Sequence, residues 1–169
     1  MTDHQNRADT RPPTLDSDDE KAVLLSFLNY LRGTIAAKAE SATEPGARTA
    51  GVPSGTNLLG LIKHLTAAEL NWFVRGFAGV DVAPADLGMD VAADESAADI
   101  LAAYRAATAR ANEVIEAAPS LEARAVRGTG RTLEAHMLRW IVIHLIEETA
   151  RHAGHADILR EQLDGSIGR

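Results

Sequence analysis

The sequence predicts an all-α protein, a four-helix bundle, and two features of the chain carry that prediction. Four segments place apolar residues at helical spacing, and stretches that contain Pro or Gly separate them. No segment shows the alternating polar and apolar pattern of a half-buried strand. Four amphipathic helices bury their apolar stripes against one another, so a bundle is the expected architecture.

Capping patterns and breakers mark the ends of the predicted helices. Ser17 with Glu20 and Ser96 with Asp99 are capping-box patterns at the starts of the first and third helices. Pro119 ends the third helix, because proline cannot continue a helical ladder. The four predicted helices span, in order, about Asp18–Lys38, Asn57–Phe77, Ala97–Ala118 and Leu133–Leu163.

Polar segments precede and connect these helices. Residues 1–16 contain prolines and lack an apolar period, so we expect a disordered tail before a single domain over residues 17–169. Residues 41–55 hold two Pro and three Gly and predict a loop. Residues 80–95 are rich in Asp, and this connection is long enough to cross the end of a bundle.

Composition excludes several classes of function. The formal net charge is -7 and there is no run of basic residues, so nucleic acid is not an expected partner. The chain has no cysteine, and thiol chemistry would therefore need a thiol from outside the protein. No apolar stretch reaches the roughly 18 residues of a membrane span, and the N-terminal residues lack the apolar core of a secretory signal. We expect a cytoplasmic protein without a membrane partner.

The fourth predicted helix carries a polar stripe on an apolar side. Four residues advance only about 40° around a helix axis, so His144, Glu148, His152 and His155 form one stripe. A buried, unpaired carboxylate costs several kcal/mol, so Glu148 is neutralised, paired or bound to a metal. Glu148 and His152 can place an oxygen and a nitrogen about 2 Å from one ion. Apolar residues share or border the stripe: Met137, Trp140, Ile141, Leu145 and Leu159.

His64 in the second predicted helix offers a third ligand beside apolar neighbours. Three N and O ligands with one open position are typical of a catalytic metal site. Two other interpretations remain open on spacing alone. Glu148 could bridge two imidazoles in a metal-free polar network, and His64 could be a hydrogen-bonded core residue.

Two segments, residues 59–73 and 138–157, resemble the DinB-like superfamily of metal-binding four-helix bundles. The Glu-Glu-Thr-Ala-Arg-His-Ala-Gly-His run that starts at Glu147 is the most specific part. Many DinB-like proteins use three histidines, whereas this chain has Glu148 at one of those positions. The pattern is similar instead to the mycothiol-dependent branch, which includes maleylpyruvate isomerases and S-transferases, where a His, Glu, His triad binds zinc.

The resemblance implies that His64, Glu148 and His152 are metal ligands. Zinc is the implied metal, although the same ligands suit Ni, Fe and Mn. It also implies a mycothiol S-transferase, in which the metal activates the thiol sulfur of mycothiol to attack an electrophilic second substrate.

The remaining polar residues of the fourth helix receive roles through the same resemblance. His144 or His155 is the expected catalytic proton acceptor. Arg151 is an expected pocket residue for the thiol cofactor, as is Arg139, and surface salt bridges are the alternative role of both arginines. Small molecules are the expected partners, and a homodimer is compatible with the family. Two alternatives keep the same site: a metal-dependent hydrolase or isomerase, and a non-catalytic metal-binding stress protein.

Overall fold

The computed structural model describes residues 11–129 and 134–167, and within these ranges it contains helices and no β-strand. The predicted all-α bundle is confirmed. Most of the predicted tail, residues 1–10, lies outside the described residues. The α-helices are α1 (Glu20–Glu40), α2 (Glu44–Arg48), α3 (Leu58–Glu69), α4 (Ala97–Ala117) and α5 (Leu138–Asp164), and α3 continues directly into a π-helical segment, Leu70–Phe77.

The long helices bury a core made mainly of Leu, Ile and Ala. Helix α1 packs along α5, while α3 packs against α4 and also contacts α5. One cluster of buried residues lies around Leu61, and a second lies around Ile141. Each fully buried aliphatic side chain contributes about 1.5–3 kcal/mol. Among the described residues, no helix is long and apolar enough to cross a membrane.

Helix capping follows the predicted logic with one correction. Ser96 caps α4, because its Oγ accepts a hydrogen bond from the Asp99 amide at 3.1 Å. Helix α1 is capped by Asp19 rather than Ser17, because Asp19 Oδ1 accepts from the Ala22 amide at 3.1 Å. The Ser17 hydroxyl instead accepts from the Asp19 amide and stabilises the approach to the helix.

The predicted loop over residues 41–55 contains the short helix α2. Thr43 Oγ1 accepts from the Gly46 amide at 3.3 Å, and Pro45 lies in the first turn. Proline is compatible with that position because its missing N–H would have no helical partner there. A Thr-Glu-Pro sequence therefore initiates one turn of helix inside a segment whose composition predicts a loop.

The fourth predicted helix begins at Leu138, so the predicted start at Leu133 is wrong; residue 133 itself lies outside the described residues. The backbone before α5 pairs with the segment after α4. The Ala125 amide donates to the His136 carbonyl at 2.9 Å, and the Leu138 amide donates to the Ala123 carbonyl at 2.8 Å. These bonds hold the residues before Leu138 extended, because their backbone groups serve a tertiary contact.

Candidate metal centre

Helix α3 is positioned by its cap and by a close backbone contact. Asn57 Oδ1 accepts from the Gly60 amide at 2.8 Å and fixes the start of the helix. A Cβ at Gly60 would lie 2.3 Å from the Met89 carbonyl oxygen, so only glycine permits this approach. The connection over residues 80–95 therefore runs against α3. Both the amide N–H and the carbonyl of Ala85 are hydrogen-bonded to the Asn71 side chain at 3.1 Å.

This connection orients the imidazole of His64. Nδ1 of His64 lies 2.7 Å from the carbonyl oxygen of Leu87. A carbonyl oxygen can only accept, so Nδ1 carries the proton and donates it. In the neutral imidazole the other nitrogen, Nε2, then has a free lone pair. The contact to Leu87 thus aims an acceptor nitrogen at helix α5.

Helix α5 supplies the facing groups. Oε1 of Glu148 lies 3.0 Å from Nε2 of His64 and 3.3 Å from Nε2 of His152. The two imidazole rings stand edge to face, with centroids 4.9 Å apart. One donor atom from each residue lies within 4.8 Å of the other two. The structure therefore brings together the three residues that the sequence predicted as ligands.

His155 contacts the second ring. Its Nδ1 lies 3.3 Å from Nδ1 of His152, one turn further along α5. If His152 donates this bond, its Nε2 has a free lone pair toward Glu148, as in His64. Histidines that bind metals usually donate their other N–H to a neighbouring acceptor in this way.

The electrostatic environment favours an anionic carboxylate at Glu148 and an uncharged imidazole at His152. Burial alone would raise the pKa of Glu148, but its contacts with the imidazoles of His64 and His152 hold it below its usual value. Burial lowers the pKa of His152, and the neighbouring His64 lowers it further. At neutral pH Glu148 is therefore ionised and His152 is uncharged.

These donors match the requirements of a divalent cation. Two neutral imidazole nitrogens and one carboxylate oxygen are ligands that zinc and the neighbouring first-row metals accept. The three atoms come from two helices, and each imidazole has its second nitrogen in a hydrogen bond. A cation between them would be bound by Nε2 of His64, Nε2 of His152 and Oε1 of Glu148, and its charge would compensate that of Glu148.

The other predicted site residues lie around this triad. His144 is half-buried against Trp72, with ring centroids 4.9 Å apart, and burial lowers its pKa. His155 is exposed beside His152. Arg151 pairs with Glu147, as its i, i+4 spacing allows, and its Nη1 lies 3.5 Å from the second carboxylate oxygen of Glu148.

The predicted core-facing side of the fourth helix needs correction. Ile141, Leu145 and Leu159 are buried, but Met137 and Trp140 are exposed. The polar stripe consequently lies along the edge of the core, where His152 is buried and Glu148 is half-buried. The triad is therefore partly accessible: 14% of the His64 side chain and 18% of the Glu148 side chain are exposed.

Sequence reasoning missed the groups that support the triad from outside α5. The Leu87 carbonyl is a backbone atom of a segment that looks like a simple connection, and composition gives no sign of its role. One signal was available: Gly60 lies inside a helical pattern, and such a glycine often marks close backbone approach.

The described residues thus form a helical bundle with a candidate His, Glu, His site at one edge, as the resemblance to the mycothiol-dependent branch implies. The family model described as mycothiol S-transferase matches residues 23–165, most of the chain. The chain therefore belongs to the mycothiol S-transferase family, and it is an enzyme with the S-transferase activity that this membership implies. Among curated proteins, none matches the chain significantly.

Proposed function

We propose that His64, Glu148 and His152 hold a divalent cation, zinc in preference to Ni, Fe or Mn, at which mycothiol reacts with a small electrophile. One observation carries the assignment: both Nε2 atoms converge on Oε1 of Glu148 while each ring uses its other nitrogen elsewhere. Two histidines and one glutamate with an open position form a ligand set typical of catalytic zinc.

A bound dication supplies positive charge that favours a thiolate over a thiol at neutral pH. The chain itself must accept the thiol proton and exclude competing water. The neutral His144 and the solvent-exposed His155 flank the triad and are our candidates for the proton acceptor. Sulfur then forms a bond to the electrophilic carbon, and the leaving group departs with the electron pair of its bond.

Arg151 is our candidate for the thiol-binding pocket. It is exposed and borders Glu148, so its guanidinium lies next to the triad on the solvent side. It already pairs with Glu147, and a polar group of the thiol substrate would have to share or displace that pair. Arg151→Gln should therefore raise the KM for mycothiol more than it changes kcat.

The test joins metal content to activity that depends on the thiol. Wild type, His64→Ala, His152→Ala and His155→Ala are dialysed against a mild chelator and assayed by mass spectrometry for Zn, Ni, Fe and Mn. Turnover of iodoacetamide is measured with mycothiol, with cysteine and without thiol. We expect about one metal per wild-type chain, strong loss in the first two variants and retention in His155→Ala, since His155 only contacts a ligand.

Two results would contradict the proposal. A full equivalent of metal in both His64→Ala and His152→Ala would remove these residues as ligands. Turnover of a hydrolysable substrate without any thiol, together with no mycothiol-dependent reaction, would favour a metal-dependent hydrolase or isomerase on the same triad.

A further inference from the structure

Four rings form a continuous group beside the triad, which we call the aromatic cluster: Trp72, His136, Trp140 and His144. His136 stacks on Trp140 with centroids 3.8 Å apart and an interplanar angle of 13°. Trp140 stacks on His144 at 5.1 Å and 25°. Trp72 lies across these rings, 5.5 Å from Trp140 and 4.9 Å from His144. Rings from the π-helical segment, the extended residues before α5 and α5 itself therefore meet at one place.

One ring of the aromatic cluster, Trp140, is exposed to solvent, the other three are half-buried, and the cluster adjoins the candidate metal centre. Trp140 is 44% exposed and Met137 beside it is 36% exposed, although tryptophan is ordinarily well buried. His144 precedes Glu148 by four residues, a rise of about 6 Å along the helix. A molecule lying on the exposed rings would thus have one end within reach of the triad.

The backbone around the cluster holds it in place. The His136 carbonyl accepts from the Ala125 amide at 2.9 Å. The Arg127 amide donates to the Gly76 carbonyl at 3.0 Å, and a Cβ at Gly76 would lie 2.5 Å from Thr129. The segment after α4 therefore packs on the π-helical segment and pairs with the entry to α5. Preorganised rings lose little entropy on binding a ligand, which suits a recognition surface.

The chemistry of the cluster favours a flat, apolar ligand. Its surface consists of indole and imidazole rings, and no lysine, aspartate or glutamate is among its members. Glu147, an exposed carboxylate three residues after His144 on α5, is already paired with Arg151. A sugar ring would need several hydrogen-bonding side chains for its hydroxyl groups, whereas a planar ring needs only stacking. Electron-rich indole faces prefer electron-poor rings.

We propose that the aromatic cluster binds the second substrate, and that this substrate class is the planar, electron-poor aromatic electrophile. The inference rests on the proposed function, since it assigns the electrophile for the thiol that reacts at the triad. With a chloronitrobenzene, the thiol loses its proton to a base. Sulfur then forms a bond to the ring carbon that carries chlorine, and chloride leaves with the electron pair of the C–Cl bond. The ring is oriented by stacking while this carbon faces the triad.

Kinetics with two electrophiles test the inference. With mycothiol held constant, kcat and KM are measured for 1-chloro-2,4-dinitrobenzene and for the aliphatic iodoacetamide. We expect Trp140→Leu to lower kcat/KM for the aromatic substrate roughly tenfold, mainly through KM, and for iodoacetamide by less than threefold. Trp140→Phe should restore most of the aromatic turnover because it keeps a ring. Ile143→Ala, an exposed apolar residue on the same helix, is the matched control and should change neither reaction.

A binding measurement separates this inference from the proposed function. Trp72 and Trp140 are the only tryptophans of the chain, so intrinsic fluorescence reports on the cluster. Without mycothiol, the unreactive 2,4-dinitrotoluene should quench wild type saturably, and Trp140→Leu should weaken this binding. Absence of turnover with either electrophile would refute the proposed function, while saturable quenching would still support the aromatic site.

Three results would overturn the inference. Equal losses for both electrophiles in Trp140→Leu would mean that the rings only stabilise the bundle. Linear, non-saturable quenching in wild type would mean that no binding site exists. A fall in molecular mass of Trp140→Leu on size-exclusion chromatography, with unchanged aromatic KM, would mean that a second copy of the chain covers this surface.

Discussion

Two glutamates on neighbouring helices, Glu69 and Glu148, have different partners for the negative charge of their carboxylates. Glu69, at the end of α3, is fully buried, and Arg32 of α1 donates to both of its oxygens at 2.7 and 2.5 Å. Glu148 of α5 is half-buried, and two histidine nitrogens face its Oε1. Glu69 is paired with Arg32, a permanent cation held in place by the core. Glu148 instead faces two imidazoles, and an imidazole carries a charge only when it is protonated.

The surroundings of each pair extend this contrast. Nη1 of Arg32 donates to Asn29 and Asn112, at 2.8 and 2.7 Å, so each nitrogen of the guanidinium has a hydrogen-bond partner within the protein. Burial raises the pKa of Glu69, and Arg32 opposes that rise. Among the described residues, the arginine paired with Glu148 is Arg151, which is exposed and shared with Glu147. A carboxylate that is fully paired with a buried arginine, like Glu69, has a structural role. A carboxylate without such a cation, like Glu148, can bind a metal ion.

The largest expected effect is on the buried pair. Arg32→Met leaves an uncompensated carboxylate at Glu69, and we expect a loss of about 3–5 kcal/mol in the free energy of unfolding. The loss should be the same with chelator and with zinc, because this pair does not face the triad. Urea denaturation under both conditions measures it.

The double variant Arg32→Met/Glu69→Leu is the matched control. Removing both charges should recover most of the lost stability, since buried ion pairs are often replaceable by apolar residues. If the single variant unfolds at the same urea concentration as wild type, Glu69 is not held in the core by Arg32, and the contrast fails.

An intermediate effect is expected at Glu148, and it depends on metal. Glu148→Gln keeps shape and hydrogen-bonding capacity but removes the charge, so the metal-free protein should change by less than about 1 kcal/mol. In wild type, zinc at a hundred times its Kd should stabilise the fold by about 2.7 kcal/mol. The variant should lose most of this stabilisation, because one ligand and one negative charge are gone. Melting of both proteins with chelator and with zinc measures the difference.

This comparison also tests the metal-free interpretation of the triad. If His64 were a protonated imidazolium that pairs with Glu148, the amide would weaken that pair regardless of zinc. Equal zinc-induced shifts in wild type and Glu148→Gln would show that Glu148 is a structural carboxylate, like Glu69.

The smallest effect is expected at a carboxylate on the surface. Arg139 donates to Glu122 at 2.7 Å and to Glu20 at 3.0 Å. The hydrogen bond from Arg139, together with one that involves Ser120, lowers the pKa of Glu122 to about 2. A carboxyl whose folded pKa lies below its ordinary value of 4.5 stabilises the fold above that value. The stabilisation disappears as the pH falls toward 2. Arg139→Gln should therefore lower Tm slightly at pH 7 and have a diminishing effect between pH 4.5 and 2.

High salt provides the control for this surface pair. Exposed ion pairs are screened by salt, whereas the buried pair of Arg32 and Glu69 is not. The Tm difference of Arg139→Gln should shrink in 1 M NaCl. A difference that persists unchanged at pH 2 and in salt would mean that Arg139 acts through packing of its aliphatic stem.

The sequence by itself determined the features that depend on neighbours along one helix. Ser96 caps α4 and Pro119 follows its end, because each acts on backbone groups a few residues away. Glu148 and His152 share one side of α5 because i, i+4 spacing places side chains in line. Residues 17–169 as a single domain, and the roles of His144, His155 and Arg151, stay predictions.

Only the tertiary structure decided the features that join distant segments. It set Nε2 of His64 3.0 Å from Glu148, and it brought the Leu87 carbonyl to Nδ1 of the same ring. It moved the start of α5 to Leu138, because the preceding residues pair with the segment after α4. It also paired Arg32 with Glu69 across 37 positions. These contacts depend on how the helices pack and on where a connecting segment crosses them. The spacing of apolar residues along one helix carries no information about either.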